Sequence, residues 1–224
     1  MSRASPDEFR RGEVVVVDMS ATVLLLPYQH QGVCIGHRCP KVAVRSADVV
    51  STSSRTRLTV IVHRYRGRDP VAKRELTVGF IGLGSMGSGM TRNLQTAGYA
   101  LVVTDVRPEA AAEAVERGAA WADTAAEVAA KSDLVITMLP TPRHIDQVLR
   151  GPDGLLQAMP EGGTWIDMST SVPEVADRAR QDRPDLRVLD APVSGMSVGA
   201  ANGTLQIFIG GEASDVERVR PVFE

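Results

Sequence analysis

The sequence has few aromatic residues and few cysteines. Aromatic side chains make up 4% of the 224 residues, so the core must rest mainly on Val, Ile, Leu, Ala and Met. The two cysteines, Cys34 and Cys39, lie close together in the first fifth of the chain, which excludes a disulfide framework. Hydrophobic residues at 43% and charged residues at 23% are ordinary for a globular protein.

The sequence also lacks a long hydrophobic run. The longest apolar stretch near the start, VVVVDMSATVLLLP, is interrupted by Asp18 and is too short to span a bilayer. It lies too far inside the chain, behind too acidic a flank, to resemble a signal peptide. We therefore predict a cytoplasmic protein without a membrane partner.

The charge is divided unevenly along the chain. Residues 1–75 have a net charge of +6 and residues 76–224 have a net charge of −8, which together give the overall −2. Such a split indicates two parts with different roles or histories. In the first part eleven of the thirteen basic residues are Arg, and they are dispersed rather than clustered. We predict no nucleic-acid partner from this pattern.

Residues 1–75 show no persistent helical period, and their strand-like runs have no evident partners. We interpret them as a poorly structured N-terminal extension, which could also be upstream sequence translated from a wrongly assigned start. The segment contains four residues of metal-ligand type, in a spacing that matches no common zinc pattern: His30, Cys34, His37 and Cys39. We predict no metal site.

From Thr77 onward, short apolar runs alternate with helical patterns of ten to fifteen residues. The runs TVGFI, ALVVTD, DLVITML, GTWIDMS, LRVLDAPV and GTLQIFIGG predict strands. This alternation predicts βαβ units, and continuously apolar strands are typical of a parallel sheet covered by helices on both faces. We predict an α/β fold of the Rossmann type, doubly wound, over residues 76–224.

A glycine-rich loop follows the first of these strands and opens a helix. It reads Gly82-Leu83-Gly84-Ser85-Met86-Gly87, the G-x-G-x-x-G spacing of dinucleotide-binding loops. The first glycine permits the tight turn, the second lets the backbone approach a pyrophosphate, and the third lets helix and strand pack closely. The helix N-terminus offers free N–H groups to the phosphates.

An acidic residue is expected at the end of the second strand, about twenty residues further on. Asp105 stands there, eighteen residues after Gly87. Its carboxylate could accept hydrogen bonds from an adenosine ribose and would repel a 2′-phosphate, which favours NAD over NADP. Arg107 moderates this preference, because a guanidinium can pair with a 2′-phosphate.

Four segments, the first of which contains the glycine-rich loop, occur in order at sensible spacings: VGFIGLGSMGSGM, ITMLP, IDMST and LDAPVSGMSVGAANGTLQIFIGG. Together they resemble the β-hydroxyacid dehydrogenase family, whose members include 3-hydroxyisobutyrate dehydrogenase and tartronate semialdehyde reductase. The resemblance covers residues 76–224 and none of residues 1–75. It implies reversible hydride transfer between a small 3-hydroxy acid and a nicotinamide cofactor.

The resemblance also implies roles for particular residues. Leu139 and Pro140 match a Leu-Pro pair that lies against the cofactor, and His144 stands where the family commonly has a polar residue near it. Thr170 matches the Ser/Thr position beside the nicotinamide. The substrate motif, in which a Ser hydroxyl and backbone N–H groups hold a carboxylate, corresponds to Ser194, Gly195 and Met196.

This sequence departs from the family pattern in two places. The family usually has a second glycine where this chain has Met196, which is costly if the position needs a positive φ. The family's catalytic Lys belongs to a G-x-x-x-K-x-x-N motif in a following helical domain, and we find no such motif before Glu224. Lys131, the only Lys after Lys73, is interpreted as a solvated charge.

We therefore expect a dinucleotide-binding domain without a catalytic residue of its own and without the helical domain that usually makes the dimer contacts, so a homo-oligomer is doubtful. The leading hypothesis is a dehydrogenase represented by its cofactor domain. The alternatives are a non-catalytic dinucleotide-binding module and an unstable product of a broken gene.

Overall fold

The structure is a computed structural model that describes residues 14–16, 45–50, 55–63 and 76–223. The first three ranges are described as backbone strands only. The other residues of the N-terminal 75, including the four metal-ligand types named above, lie outside the described residues. The prediction of a poorly structured extension or a wrongly assigned start therefore stays a prediction.

The strands of the described residues are, in chain order, β1 (Val14–Val16), β2 (Arg45–Val50), β3 (Arg55–His63), β4 (Thr77–Ile81), β5 (Ala100–Thr104), β6 (Ala120–Trp121), β7 (Leu134–Thr137), β8 (Thr164–Asp167), β9 (Arg187–Asp190), β10 (Val193–Ser194) and β11 (Gln206–Ile209).

The α-helices of the same residues are α1 (Gly87–Thr96), α2 (Ala112–Glu116), α3 (Ala125–Ala130), α4 (Pro142–Arg150), α5 (Leu155–Ala158), α6 (Pro173–Asp182), α7 (Met196–Asn202) and α8 (Ala213–Phe223). A short 3₁₀ helix, Pro108–Ala111, precedes α2. None of these helices is long and apolar enough to cross a membrane.

Six strands form one sheet in the order β6-β5-β4-β7-β8-β9, and every neighbouring pair is parallel. The chain builds outward from β4 in one direction and then returns to build outward from β7 in the other. This is the order of the doubly wound dinucleotide-binding fold. The predicted fold class is confirmed.

The helices cover both faces of the sheet and create two apolar clusters. One cluster contains Phe80, Ile136 and Leu189, and the other contains Val135, Trp165 and Val188. These strands are buried on both faces, which explains why their sequences are continuously apolar rather than alternating.

Two elements close to the end of the described chain, a strand and a helix, differ from the sequence-based expectation. The last predicted strand, β11, leaves the parallel sheet and pairs antiparallel with the two-residue strand β10 and parallel with β1. It meets the main sheet only through an antiparallel bridge between Asp190 and Gly210, as far as the described residues show. The helix α7 was not predicted, because its sequence is short, rich in small residues and begins directly after Gly195.

Candidate cofactor site

The candidate site lies where the carboxyl ends of β4 and β7 meet. β4 is hydrogen-bonded to β5 on one side and to β7 on the other. The connections that leave β4 and β7 run in opposite directions along the sheet, so a crevice opens between the loops that follow these strands. The loops after β5 and β8 border the same edge, because parallel strands end on one side of a sheet.

Gly82 begins the glycine-rich loop in a conformation that favours glycine. Its φ is +99°, and its N–H donates to the carbonyl oxygen of Thr104 at 3.1 Å. A Cβ at this position would overlap the carbonyl oxygen of Met138 on the far side of the crevice. The loop is therefore held tightly between the ends of β5 and β7.

The other two glycines of the motif serve different purposes. A Cβ on Gly87 would overlap the carbonyl oxygen of Gly82 and lie 3.0 Å from Phe80, so this glycine lets α1 pack onto β4. A Cβ on Gly84 would meet nothing within 4 Å. Gly84 thus faces open space, as expected of a backbone that a pyrophosphate approaches.

The start of α1 presents backbone N–H groups to that open space. No side chain caps Met86, and the first bond of the helix runs from the Ser88 N–H to the Gly84 carbonyl at 3.0 Å. Within the part of the chain that the structure describes, the N–H groups of Gly84, Ser85 and Met86 have no protein acceptor. Free N–H groups at a helix N-terminus suit an anion.

Asp105, at the end of β5, is fixed next to this loop. One carboxylate oxygen accepts the N–H of Leu83 at 2.7 Å and the other accepts the N–H of Arg107 at 2.9 Å. Its side chain is 8% exposed, whereas the Arg107 side chain is 61% exposed and its Nε lies 3.7 Å from the carboxylate. The acid is therefore oriented by backbone groups, and the guanidinium stays at the surface.

The loops after β7 and β8 form the opposite side of the crevice. Leu139 is partly buried and Pro140 is exposed, and the N–H of Leu139 donates to the hydroxyl of Ser169 at 2.9 Å. Thr170, which follows, is exposed. The structure thus joins the predicted residues Leu139 and Thr170 through Ser169, a residue that sequence reasoning missed.

His144 lies at the surface in the first turn of α4. Its Nδ1 is 2.7 Å from the hydroxyl of Thr141, the residue that caps this helix. The ring has a structural partner in its own helix cap. Its predicted contact with the cofactor stays a prediction.

The predicted substrate residues Ser194, Gly195 and Met196 are all exposed. Gly195 has a φ of +130°, and Met196 has a φ of +57° with 77% of its surface exposed. Met196 is the only residue other than glycine with a positive φ among those described. The position does require the conformation that a glycine adopts most easily, so Met196 carries local strain.

Helix α7, which begins at Met196, packs against α1. A Cβ on Gly89 would lie 2.7 Å from the backbone of Ala200, so the two helices touch without intervening side chains. Asn93 donates from Nδ2 to the carbonyl oxygens of Gly89 and Ala200 at 3.0 and 2.6 Å. The loop of residues 194–196 is thereby attached to the helix that begins at the glycine-rich loop. Gly89, just beyond the G-x-G-x-x-G motif, was the available sequence signal.

Two carboxyl groups lie side by side at the ends of β8 and β9, that of Asp167 buried and that of Asp190 partly buried. Asp167 and Asp190 are register partners in the sheet. Burial raises the pKa of Asp167, although hydrogen bonds from Ser169 and Thr137 oppose the rise. Burial, together with the charge of Asp167, raises the pKa of Asp190 to about 6, and Arg180 partly opposes this. Sequence reasoning missed the pair, whose signal was an Asp at the end of two successive predicted strands.

The fold, the open glycine loop and the anchored acid define the class of protein: residues 77–224 form a nucleotide-binding α/β domain of the dinucleotide type. Residues 77–224 match the family described as the NAD binding domain of 6-phosphogluconate dehydrogenase. The match covers well over half of the chain, and the chain belongs to this family. Its 77–224 segment is an NAD-binding domain.

Known relatives are oxidoreductases. The chain is 41% identical over 149 residues to 3-hydroxyisobutyrate dehydrogenase of Pseudomonas aeruginosa, covering 66% of this chain and 50% of that protein. It is 41% identical over 151 residues to 2-hydroxy-3-oxopropionate reductase of Escherichia coli, covering 66% and 51%.

A solved structure, the 3-hydroxyisobutyrate dehydrogenase of Mycobacterium tuberculosis with L-serine, is 38% identical with a TM-score of 0.62. It covers 66% of this chain and 51% of that one. The chain spans about half the length of the curated relatives it matches. The family resemblance inferred from the four sequence motifs is confirmed.

Proposed function

We propose that this protein binds NAD in the crevice between the glycine-rich loop and the loops after β7 and β8, and that it supplies the cofactor half of a 3-hydroxyacid dehydrogenase. The observation that carries the proposal is the loop itself. Gly84 faces open space between two glycines that are both enclosed by backbone.

The residues present fit a dinucleotide along the whole crevice. The free N–H groups at the start of α1 suit the pyrophosphate. Asp105 lies on the β5 side, where a ribose of the adenosine half would be bound. The nicotinamide half would then lie on the β7 and β8 side, beside Leu139 and Thr170. The bound cofactor would supply the hydride chemistry, and the protein supplies orientation and electrostatics.

A preference for NAD over NADP follows from Asp105. Two backbone N–H groups hold its nearly buried carboxylate in place, so the carboxylate cannot easily turn away from a 2′-phosphate. Arg107 is exposed, and its guanidinium, whose Nε lies 3.7 Å from Asp105, could pair with such a phosphate, which limits the preference. We expect calorimetric titration to give an NAD affinity about tenfold higher than the NADP affinity, which corresponds to roughly 1.4 kcal/mol of repulsion.

The substrate we propose is a small 3-hydroxy acid, as the names of the relatives suggest. Ser194 and the backbone of residues 195–196 are exposed and attached through α7 to the glycine-rich loop, as a carboxylate-binding loop next to a cofactor would be. Which hydroxy acid is bound depends on residues beyond these three. The cytoplasmic location, the absence of a nucleic-acid partner and the doubtful homo-oligomer stay predictions.

A general acid or base is needed at the alcohol oxygen, and the described residues offer no lysine for it. Lys131 lies at the end of α3 on the protein surface, where its Nζ contacts Glu127 at 3.1 Å. We therefore propose that these 224 residues bind NAD without appreciable turnover, since general acid–base catalysis contributes about 10²–10⁴-fold. NADH formation from 3-hydroxyisobutyrate at about one turnover per second would contradict this.

The Gly84→Ala variant tests the site directly. The added methyl group meets no protein atom within 4 Å, so the midpoint of thermal unfolding should stay unchanged. It would occupy space that the pyrophosphate needs, so the affinities for NAD and for ADP-ribose should both fall at least tenfold in calorimetric titrations. Wild-type protein that binds neither ligand, or a variant that binds both normally, would refute the proposed site.

A further inference from the structure

A network of buried polar groups lies behind the two loops on the β7 and β8 side of the crevice. Its members Thr137, Asp167 and Ser169 are at most 2% exposed. None of them reaches the crevice as a side chain open to solvent. Buried polar groups are costly unless each is hydrogen-bonded, so their bonds show what they hold together.

This network of buried polar groups ends at the loop after β7. The hydroxyl of Ser169 accepts the N–H of Leu139 at 2.9 Å, which ties the residue before Pro140 to the loop after β8. Because Ser169 immediately precedes Thr170, one hydroxyl fixes the positions of both loops. A shift of Ser169 would move the residues on both sides of this part of the crevice.

Asp167 holds Ser169 in place. A single oxygen of its carboxylate, Oδ1, accepts the N–H of Ser169 at 3.1 Å and the hydroxyl of Thr137 at 2.9 Å. The same Thr137 hydroxyl accepts the indole N–H of Trp165 at 3.0 Å, which anchors the network in the core. The carboxylate therefore connects strand β7 to the start of the loop after β8.

The neighbouring carboxyl group serves as a comparison. Asp190 occupies the same register position on β9, yet its side chain makes no hydrogen bond among the described residues. Removing Asp190 would delete a partly buried carboxyl group of equal size without removing a hydrogen bond to the loops after β7 and β8. The two aspartates thus separate the effect of burial from the effect of the network.

We propose that Asp167 is a positioning residue for the dinucleotide. Through Ser169 it holds the loops of residues 138–140 and 169–170 in the arrangement that receives the nicotinamide half. This inference rests on the proposed function, because the nicotinamide half is assigned to that side of the crevice only if the dinucleotide binds there. The adenosine half, bound by the glycine-rich loop and Asp105, is independent of this network.

The test compares two ligands that differ only in the nicotinamide. We expect Asp167→Ala to lower the affinity for NAD about tenfold in calorimetric titration, since one ordered buried hydrogen bond contributes a factor of this size. The affinity for ADP-ribose should stay within twofold of wild type. A generally destabilised protein would lose affinity for both ligands alike.

Two further variants separate positioning from folding. Ser169→Ala removes the hydroxyl that accepts the Leu139 N–H and keeps the Asp167 carboxylate, so it should reproduce the selective loss of NAD affinity even if Asp167→Ala fails to fold. Asp167→Asn keeps an oxygen that accepts both bonds, so it should restore NAD affinity to within threefold of wild type. The matched control, Asp190→Ala, should leave both affinities unchanged.

A second readout needs no ligand. In hydrogen exchange of the free protein, the Leu139 amide should exchange at least tenfold faster in Ser169→Ala and Asp167→Ala than in wild type.

Equal losses of NAD and ADP-ribose affinity, or unchanged NAD affinity in Ser169→Ala, would overturn the positioning role while leaving the proposed function intact. A wild type that binds ADP-ribose and NAD equally well would also overturn it. Wild-type protein that binds neither ligand would refute the proposed function, and the positioning role with it.

Discussion

Two loops of this domain are built on the same plan and differ in how well their residues suit it. Residues 82–87 and residues 194–196 each follow a strand, contain a glycine with positive φ and lead into a helix. In the first loop glycines occupy the positions that need them. In the second loop Met196 occupies a left-handed position with a φ of +57°. The first loop is therefore relaxed, and the second carries strain at the surface.

An aspartate lies next to each loop: Asp105 beside residues 82–87 and Asp190 before residues 194–196. The two aspartates differ in the number of backbone hydrogen bonds that they accept. Asp105 receives two backbone N–H groups. Asp190, four residues before Ser194, receives none, and its pKa is raised to about 6. The comparison teaches that the cofactor loop is organised by hydrogen bonds made within the fold. The second loop contains a strained residue and follows a carboxyl group with a raised pKa, features that often mark functional sites.

The largest effect is expected from breaking the first loop. Gly87→Ala places a methyl group against the carbonyl of Gly82, which is backbone and cannot move aside. We expect the free energy of unfolding in urea to fall by about 3 kcal/mol or more. Gly84→Ala, in the same loop but facing open space, is the control and should leave it unchanged. Equal stability of both variants would mean that the loop is looser than described.

The next largest effect is expected on the pH dependence of stability, through Asp190 near the second loop. The pKa of Asp190 is raised from 3.8 to about 6, so the native state binds this proton more tightly than the unfolded state. That contribution to stability is complete below pH 3.8 and is lost as the pH rises through about 6.

Asp190→Asn should therefore match wild type at pH 3.5 and be about 2 kcal/mol more stable at pH 7, as measured by urea unfolding. This is less than the roughly 3 kcal/mol that the full pKa difference would give, because the carboxyl group is only partly buried and solvent screens its charge. The charged groups that act on Asp190 are Asp167 on β8, which raises its pKa, and Arg180 on α6, which lowers it. A stability difference that does not change between pH 3.5 and pH 7 would contradict the assignment.

Asp105, beside the first loop, is expected to affect the choice between NAD and NADP, although Asn at this position leaves one oxygen for the two backbone N–H groups that Asp105 holds. Asp105→Asn removes the charge that opposes a 2′-phosphate while keeping the size of the side chain. We expect the ratio of NAD to NADP affinity to fall about tenfold in calorimetric titration, about 1.4 kcal/mol. Arg107→Ala is the opposing control and should widen the ratio. A ratio that neither variant changes would place the adenosine ribose elsewhere.

The smallest effect is expected from repairing the second loop. Met196→Gly removes an unfavourable left-handed residue whose side chain is 77% exposed, so little burial is lost. We expect a gain of about 0.5–1 kcal/mol in the free energy of unfolding. The matched control is Val198→Gly, which lies in the same short helix and is also exposed, and it should lose about 0.5–1 kcal/mol. Loss of stability in both variants would show that Met196 is not strained.

The parallel sheet and the glycine-rich loop could be predicted because their signals are local. A continuously apolar run, followed at once by glycines at fixed spacing, predicts strand, turn and helix without reference to the rest of the chain. The position of Asp105 followed from the length of one βα unit. Even the strain at Met196 could be anticipated, since a family pattern with glycine there implied a positive φ.

The short elements could not be predicted in this way. The pairing of β10 with β11 and the formation of α7 depend on contacts between distant segments, and such brief elements have little intrinsic stability. The network of Thr137, Asp167 and Ser169 was likewise invisible, because its members come from two strands and the loop after the second. No local pattern records which buried polar groups will meet.

The sequence by itself determined the α/β class, the alternation of the main strands and helices after Thr77, and the glycine-rich loop, because each of these is set by spacing within a few residues. Only the tertiary structure decided which loops share the crevice. It brought Leu139 to Ser169, paired Asp167 with Asp190, and packed α7 on α1 through Gly89. These are long-range contacts, and their energy is available only once the sheet has assembled.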